Sequence, residues 1–184
     1  MSKIATMEEL FLDEIRDLYD AEKQLTKALP KMSKAACSME LKDAFDEHLG
    51  QTENQVARLE RIFALVGEDA KGKKCAAMSG LIKEGDDMAD DTEDTPVRDA
   101  GLIAAAQKVE HYEISGYGSA RTHAELLGND EAARLLEETL HEEKAADEKL
   151  NQLAKSMINR EAADIASDGG TRTRAREPIP SRSL

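Results

Sequence analysis

Apolar residues recur along this chain in steps of three and four, and that repeat predicts helices almost throughout. Phe11, Ile15, Leu18, Glu22, Leu25 and Leu29 share one face of a helix over about residues 6–36. Thr6, with Glu9 three residues on, reads as the capping box that opens it, and Pro30 predicts a kink or a break near its end. A second stripe, Phe45, Leu49, Thr52, Val56, Leu59 and Phe63, predicts a helix over about residues 40–66, stopped by Gly67. Met78, Leu81 and Ile82 anchor a shorter helix over roughly residues 74–90. Thr95-Pro96 places proline at a helix start, and the helix it opens runs to Leu127. Gly128-Asn129 then makes a tight turn into a last helix over about residues 130–162.

The order long, long, short, long, long predicts an all-α fold: an antiparallel four-helix bundle with a short helix in the crossover connection. Composition agrees, with aromatics at 3%, no tryptophan and four prolines in 184 residues. Residues 1–163 form one domain on this reading. Residues 164–184 lack apolar periodicity, carry Gly169-Gly170 and two prolines, and are expected to be a disordered tail. A net charge of −13 disfavours nucleic acid as a partner for the acidic body. No apolar run is long enough to span a membrane and the first residues do not read as a signal peptide. Cys37 and Cys75 fit neither a disulfide framework nor a metal-ligand spacing, which suits a reducing cytoplasm.

The stripes hold residues that do not belong in a core. Glu22 interrupts the first. Leu102, Ala106, Val109, Glu113, Tyr117 and Ala120 carry Glu113, with Glu110 one turn earlier. Leu136, Leu140, Glu143, Asp147, Leu150 and Ala154 carry two acids in succession. A buried, unpaired carboxylate costs several kcal/mol, so it takes up a proton or finds a cation. In a hairpin centred on Gly128-Asn129, Glu113 faces Glu143 and Glu110 faces Asp147. Four acids within two turns repel unless protonated or bridged, and Glu22, Glu113 and Glu143 together point to a metal site. The plainer alternative is that single acids at the stripe edge point to water. The second helix has no acid on its stripe. A first turn centred on Ser38 sets Glu22 level with residue 54, near Thr52, Glu53 and Gln55. A turn nearer residue 35 brings His48 level, as either a metal ligand or a polar rim residue, while Gln51 and Gln55 offer at most neutral donors. Gly116 and Gly118 suggest close approach of a neighbouring helix or a local widening of the backbone. Tyr19, Tyr112 and Tyr117 flank the acids, while His111, His123 and His141 fall on polar faces. Phosphate loops, nucleophile elbows and Cys-x-x-Cys motifs are absent from the sequence.

Tyr19–Leu25 (YDAEKQL), Ala104–Ile114 (AAAQKVEHYEI) and the run from Glu138 to Asp147 resemble the YciE/YciF family of bacterial proteins, over about residues 5–160. The resemblance implies a ferritin-like bundle, a homodimer, a role in stress responses and a dinuclear iron-type site, with manganese or zinc as the alternatives. By position it implies Glu22, Glu110, Glu113, Glu143 and Asp147 as ligands. The wider ferritin-like pattern places Glu-x-x-His on the second and fourth long helices. This chain departs from it: Asp147 lies four residues after Glu143, and the second helix has no such pair. The function expected is a carboxylate-bridged metal protein that oxidises iron or consumes peroxide, with a small-molecule oxidant as partner. A non-enzymatic structural or interaction bundle is the alternative, and iron storage in a hollow shell a third.

Overall fold

The structure is a computed structural model that describes residues 3–169. Its elements are α1 (Met7–Ala35), α2 (Met39–Leu65), α3 (Ala76–Asp90), α4 (Pro96–Leu126), α5 (Asp130–Leu153), a single π turn (Ala154–Ile158) and α6 (Asn159–Gly169). No strand occurs among the described residues. The capping box of α1 is formed: Glu9 N–H donates to the Thr6 hydroxyl, and the Glu9 carboxylate accepts from Thr6 N–H. Of the kink or break expected at Pro30, the break does not occur: α1 continues through it to Ala35. Pro30 is exposed and lies in the last two turns, where it removes one intrahelical hydrogen bond.

The long helices pack as two hairpins, α1 with α2 and α4 with α5, and the hairpins meet along α1–α4 and α2–α5. The ring order is therefore α1, α2, α5, α4. The crossover helix α3 lies outside the ring against α1 and α4. Gly67 and Gly128 end α2 and α4 with φ of 73° and 69°, a conformation that any side chain would disfavour. Gly116 admits α1: a Cβ there would sit 2.8 Å from Leu18 Cδ2. Gly118 has no such neighbour, so close approach explains one glycine of the pair.

The last helix extends beyond its expected end, reaching Gly169. Leu150, Ala154 and Ile158 are all buried at steps of four residues. An α-helix drifts about 40° over each such step, and the wider π turn cancels that drift. Residues 170–184, most of the expected tail, lie outside the described residues.

The core divides in two. One cluster joins Phe11, Ile15 and Leu18 of α1 to Leu59 and Phe63 of α2, Tyr117 of α4 and Leu136 of α5. The other joins Leu25, Leu41, Phe45, Ile103, Val109 and Leu150 with Met78 from α3. On each long helix the residues between these clusters are the polar ones.

Asp99 shows how this fold treats a structural buried acid. It is 1% exposed, and its two oxygens accept from Cys37 N–H and Ser38 N–H at 2.7 Å each, tying the α1–α2 turn to the start of α4. Hydrogen bonds to a charged acceptor are strong, and loss of this one strands two backbone donors. Asp99→Ala should cost about 3 kcal/mol in urea unfolding. A loss below about 1 kcal/mol would show that the turn holds without it.

Candidate metal centre

Four side chains converge between the two apolar clusters. One ligand atom from each of His48, Glu110, Glu113 and Glu143 lies within 4.8 Å of the others, and all four residues are buried. α2 supplies His48, α4 supplies Glu110 and Glu113, and α5 supplies Glu143. Glu22 of α1, fully buried, lies beside them: its carboxyl accepts from the Tyr117 hydroxyl and interacts with Glu113.

Their free atoms point inward. Glu22 Oε2, His48 Nε2, Glu110 Oε2, both Glu113 oxygens and Glu143 Oε2 are buried without a hydrogen-bond partner. Among the described residues, the basic group within ion-pair distance of Glu110 and Glu143 is His48, at 3.5 and 3.7 Å. The Gln51 amide oxygen lies 3.1 Å from His48 Nδ1. With that oxygen accepting, Nδ1 carries the proton and Nε2 turns a lone pair on the acids, the tautomer a metal ligand needs. Asp99 is equally buried yet fully satisfied. The contrast separates an acid held by the fold from acids left open by it.

A second tier orients the first. Gln55 Nε2 donates to Glu143 Oε1 at 2.5 Å and to Glu142 Oε2 at 3.1 Å. Arg58 grips Glu142 with two parallel bonds of 2.5 and 2.7 Å. Thr52, also buried, bonds back to the His48 carbonyl at 3.0 Å.

The sequence-based ligand set is only partly assembled. Glu22, Glu110, Glu113, Glu143 and His48 come together. Asp147 stands outside: its side chain is 25% exposed, takes a 3.0 Å bond from Gln107, and lies 3.5 Å from His111. Four residues past Glu143 carries Asp147 about 40° off the inward direction, and Gln107 rather than Glu110 bonds it. Glu143 instead meets Glu110 as well as Glu113. The inward face of α2 also differs from the expected stripe. Leu41, Phe45, His48, Thr52, Gln55, Leu59 and Ile62 are buried, while Leu49 and Val56 are half-buried. Gln55, given little weight from sequence, is thereby a site residue. Of the three tyrosines Tyr117 alone reaches an acid of the cluster, since Tyr19 bonds Glu60 and Tyr112 bonds Asp17. His123, expected on a polar face, is partly buried and bonds Glu14 at 2.7 Å.

Residues 6–163 match the family described as a domain of unknown function, DUF892. The chain is also 48% identical to protein YciF of Escherichia coli strain K12 over 162 residues, 88% of this chain and 98% of that protein. The chain belongs to the YciF family. The crystal structure of the E. coli stress protein YciF superposes with a TM-score of 0.82 at 47% identity, covering 85% of this chain and 99% of the other. YcfI of Rhodopseudomonas palustris gives a TM-score of 0.79 at 47% identity, covering 81% and 95%. A Xanthomonas campestris protein at 21% identity, with a TM-score of 0.69 and coverage of 88% and 99%, shares the fold.

Burial governs the electrostatics of this YciF-family site. Desolvation, then repulsion from the neighbouring acids, pushes Glu22 and Glu113 well above the usual carboxylate range. Glu143 is raised mainly by desolvation, against the opposing pull of His48. Glu110 is pushed up to about 8, again mainly by desolvation. Without a cation, then, the cluster holds protons near neutral pH, and binding a cation must expel them.

A raised acid binds its proton more tightly folded than unfolded. Its contribution is intact below the unfolded value near 4.5 and is lost as pH climbs toward about 8. Metal-free protein should therefore lose urea resistance between pH 5.5 and pH 8, by about 1 kcal/mol per pH unit for one such group. A metal-free stability that rises over this interval would contradict the protonated cluster.

Proposed function

We propose that this chain is a carboxylate-bridged metal protein whose centre takes two iron ions and serves a stress response by oxidising iron or consuming peroxide. One observation carries the reading: the inward atoms of His48, Glu110, Glu113 and Glu143 are buried, convergent and unpartnered, and Glu22 Oε2 is buried and unpartnered as well. The donor set fits the group, since oxygen donors with one imidazole suit iron and manganese, and zinc less specifically. The four acids offer more oxygens than one ion uses, which supports a pair. The relative named a stress protein supports the physiological setting.

His48, Glu110, Glu113 and Glu143 would hold the ions, with Glu22 completing the α1 side. Bound there, such ions would supply one-electron chemistry toward a small oxidant. The chain's own residues prepare the place. Gln55 and the Arg58–Glu142 pair fix the Glu143 carboxylate, Gln51 fixes the His48 ring, and Tyr117 holds Glu22. Apolar clusters above and below exclude water, which strengthens every charge interaction between them. A cytoplasmic homodimer is the assembly we infer, on the strength of the resemblance. No described helix is long and apolar enough to cross a membrane.

The test is metal content. Protein purified without chelator and loaded anaerobically with iron should bind two ions per chain, and Glu113→Ala and Glu143→Ala should each lose them while staying helical by circular dichroism. Gln55→Leu should weaken binding about tenfold, as loss of an orienting partner does. Wild-type protein that binds no metal would leave the second reading, a non-enzymatic bundle with protonated acids. Light scattering separates a dimer from a storage shell.

A further inference from the structure

The acid cluster is covered on most sides. The two apolar clusters close it along the bundle axis, and on the α1–α4 flank Leu18 packs onto Gly116. The α2–α5 flank is different. A cavity of about 140 Å³ lies there, with Ala44, Phe45, Ala146 and Leu150 in its walls. His48 and Glu110, two of the converging four, also line it. At its rim the Lys149 ammonium meets the Glu47 carboxylate at 2.6 Å, joining α5 to α2. Both charged side chains are largely exposed, at 42% and 62%, and an exposed pair of this kind holds weakly.

We propose that this cavity is the entry route and waiting pocket for a small neutral molecule, of the size of hydrogen peroxide or dioxygen, with the Glu47–Lys149 pair as its gate. The proposal rests on the metal reading above and names the class of reactant for that site. Size sets the upper limit, because a dry cavity of about 150 Å³ just accepts benzene. Charge sets the rest. An anion would meet Glu47 at the rim, Glu110 within and a chain of net charge −13. A cation is drawn on to the acids themselves, which loads the site and does not deliver its reactant. A neutral molecule meets a rim pair of zero net charge, then apolar wall, then His48. Small residues keep the route open: Ala44 on one helix and Ala145 and Ala146 on the other leave a gap that larger side chains would fill.

Nitric oxide, a small neutral ligand of ferrous iron, is a suitable probe because its association is read by absorbance without any turnover. Ala146→Phe should slow that association at least tenfold, with iron content and melting temperature unchanged. Lys149→Ala, at an exposed position where folding is not at stake, should speed it several-fold, and decides the matter if Ala146→Phe fails to fold. Iron bound normally, with nitric oxide entering both variants at the wild-type rate, would overturn the entry route and leave the metal reading intact. Absence of iron from the wild type would overturn both.

Discussion

The structure turns on one costly arrangement: a layer of carboxylates set across the middle of an apolar bundle. Desolvating an ionised acid costs several kcal/mol after relaxation, and here four are gathered where they also repel one another. The fold tolerates them by dividing its core into two apolar clusters and placing the converging acids, with His48, Thr52 and Gln55, between them. α1 carries Glu22 there, α2 carries His48 to Gln55, α4 carries Glu110 and Glu113, and α5 carries Glu143. Hydrophobic burial on both sides stabilises the bundle enough to hold an arrangement that opposes folding. Asp99 makes the distinction concrete, because the same chain satisfies both oxygens of a buried acid when the acid's role is structural.

Much of this was legible in the sequence, because three of the four long helices announce the layer as acids inside apolar stripes. α2 hid its share. Two three-four stripes run along it, sharing Phe45, Thr52 and Leu59, and they diverge at Leu49 and Val56 against His48 and Gln55. Hydrophobicity favours the first pair; the structure buries the second. A site residue that is neither apolar nor acidic leaves no contrast against its stripe, so Gln55 was invisible to periodicity. Counting across the α4–α5 hairpin found the Glu113–Glu143 pairing and set Asp147 beside Glu110, whose carboxyl it repels, but not its outward turn, because residue numbers track height along a helix and not the 40° of rotation gained over four residues.

Of the outer tier, the Arg58–Glu142 pair was not legible. Arg58 and Glu142 look like ordinary solvated helix residues in sequence. Only the ring order of the helices brings Arg58 of α2 against Glu142 of α5. Helix faces can be read from spacing, whereas partnerships between faces depend on which helices are neighbours.

The way the ring is assembled has a further consequence. α1 and α2 form one hairpin, α4 and α5 the other, and each brings part of the cluster: Glu22 and His48 from the first, Glu110, Glu113 and Glu143 from the second. Neither hairpin brings the whole cluster, so an ion bound there would staple two halves of one chain. Its affinity would then be linked to the strength of hairpin docking. The α3 crossover, by tethering the halves, sets the effective concentration at which they meet.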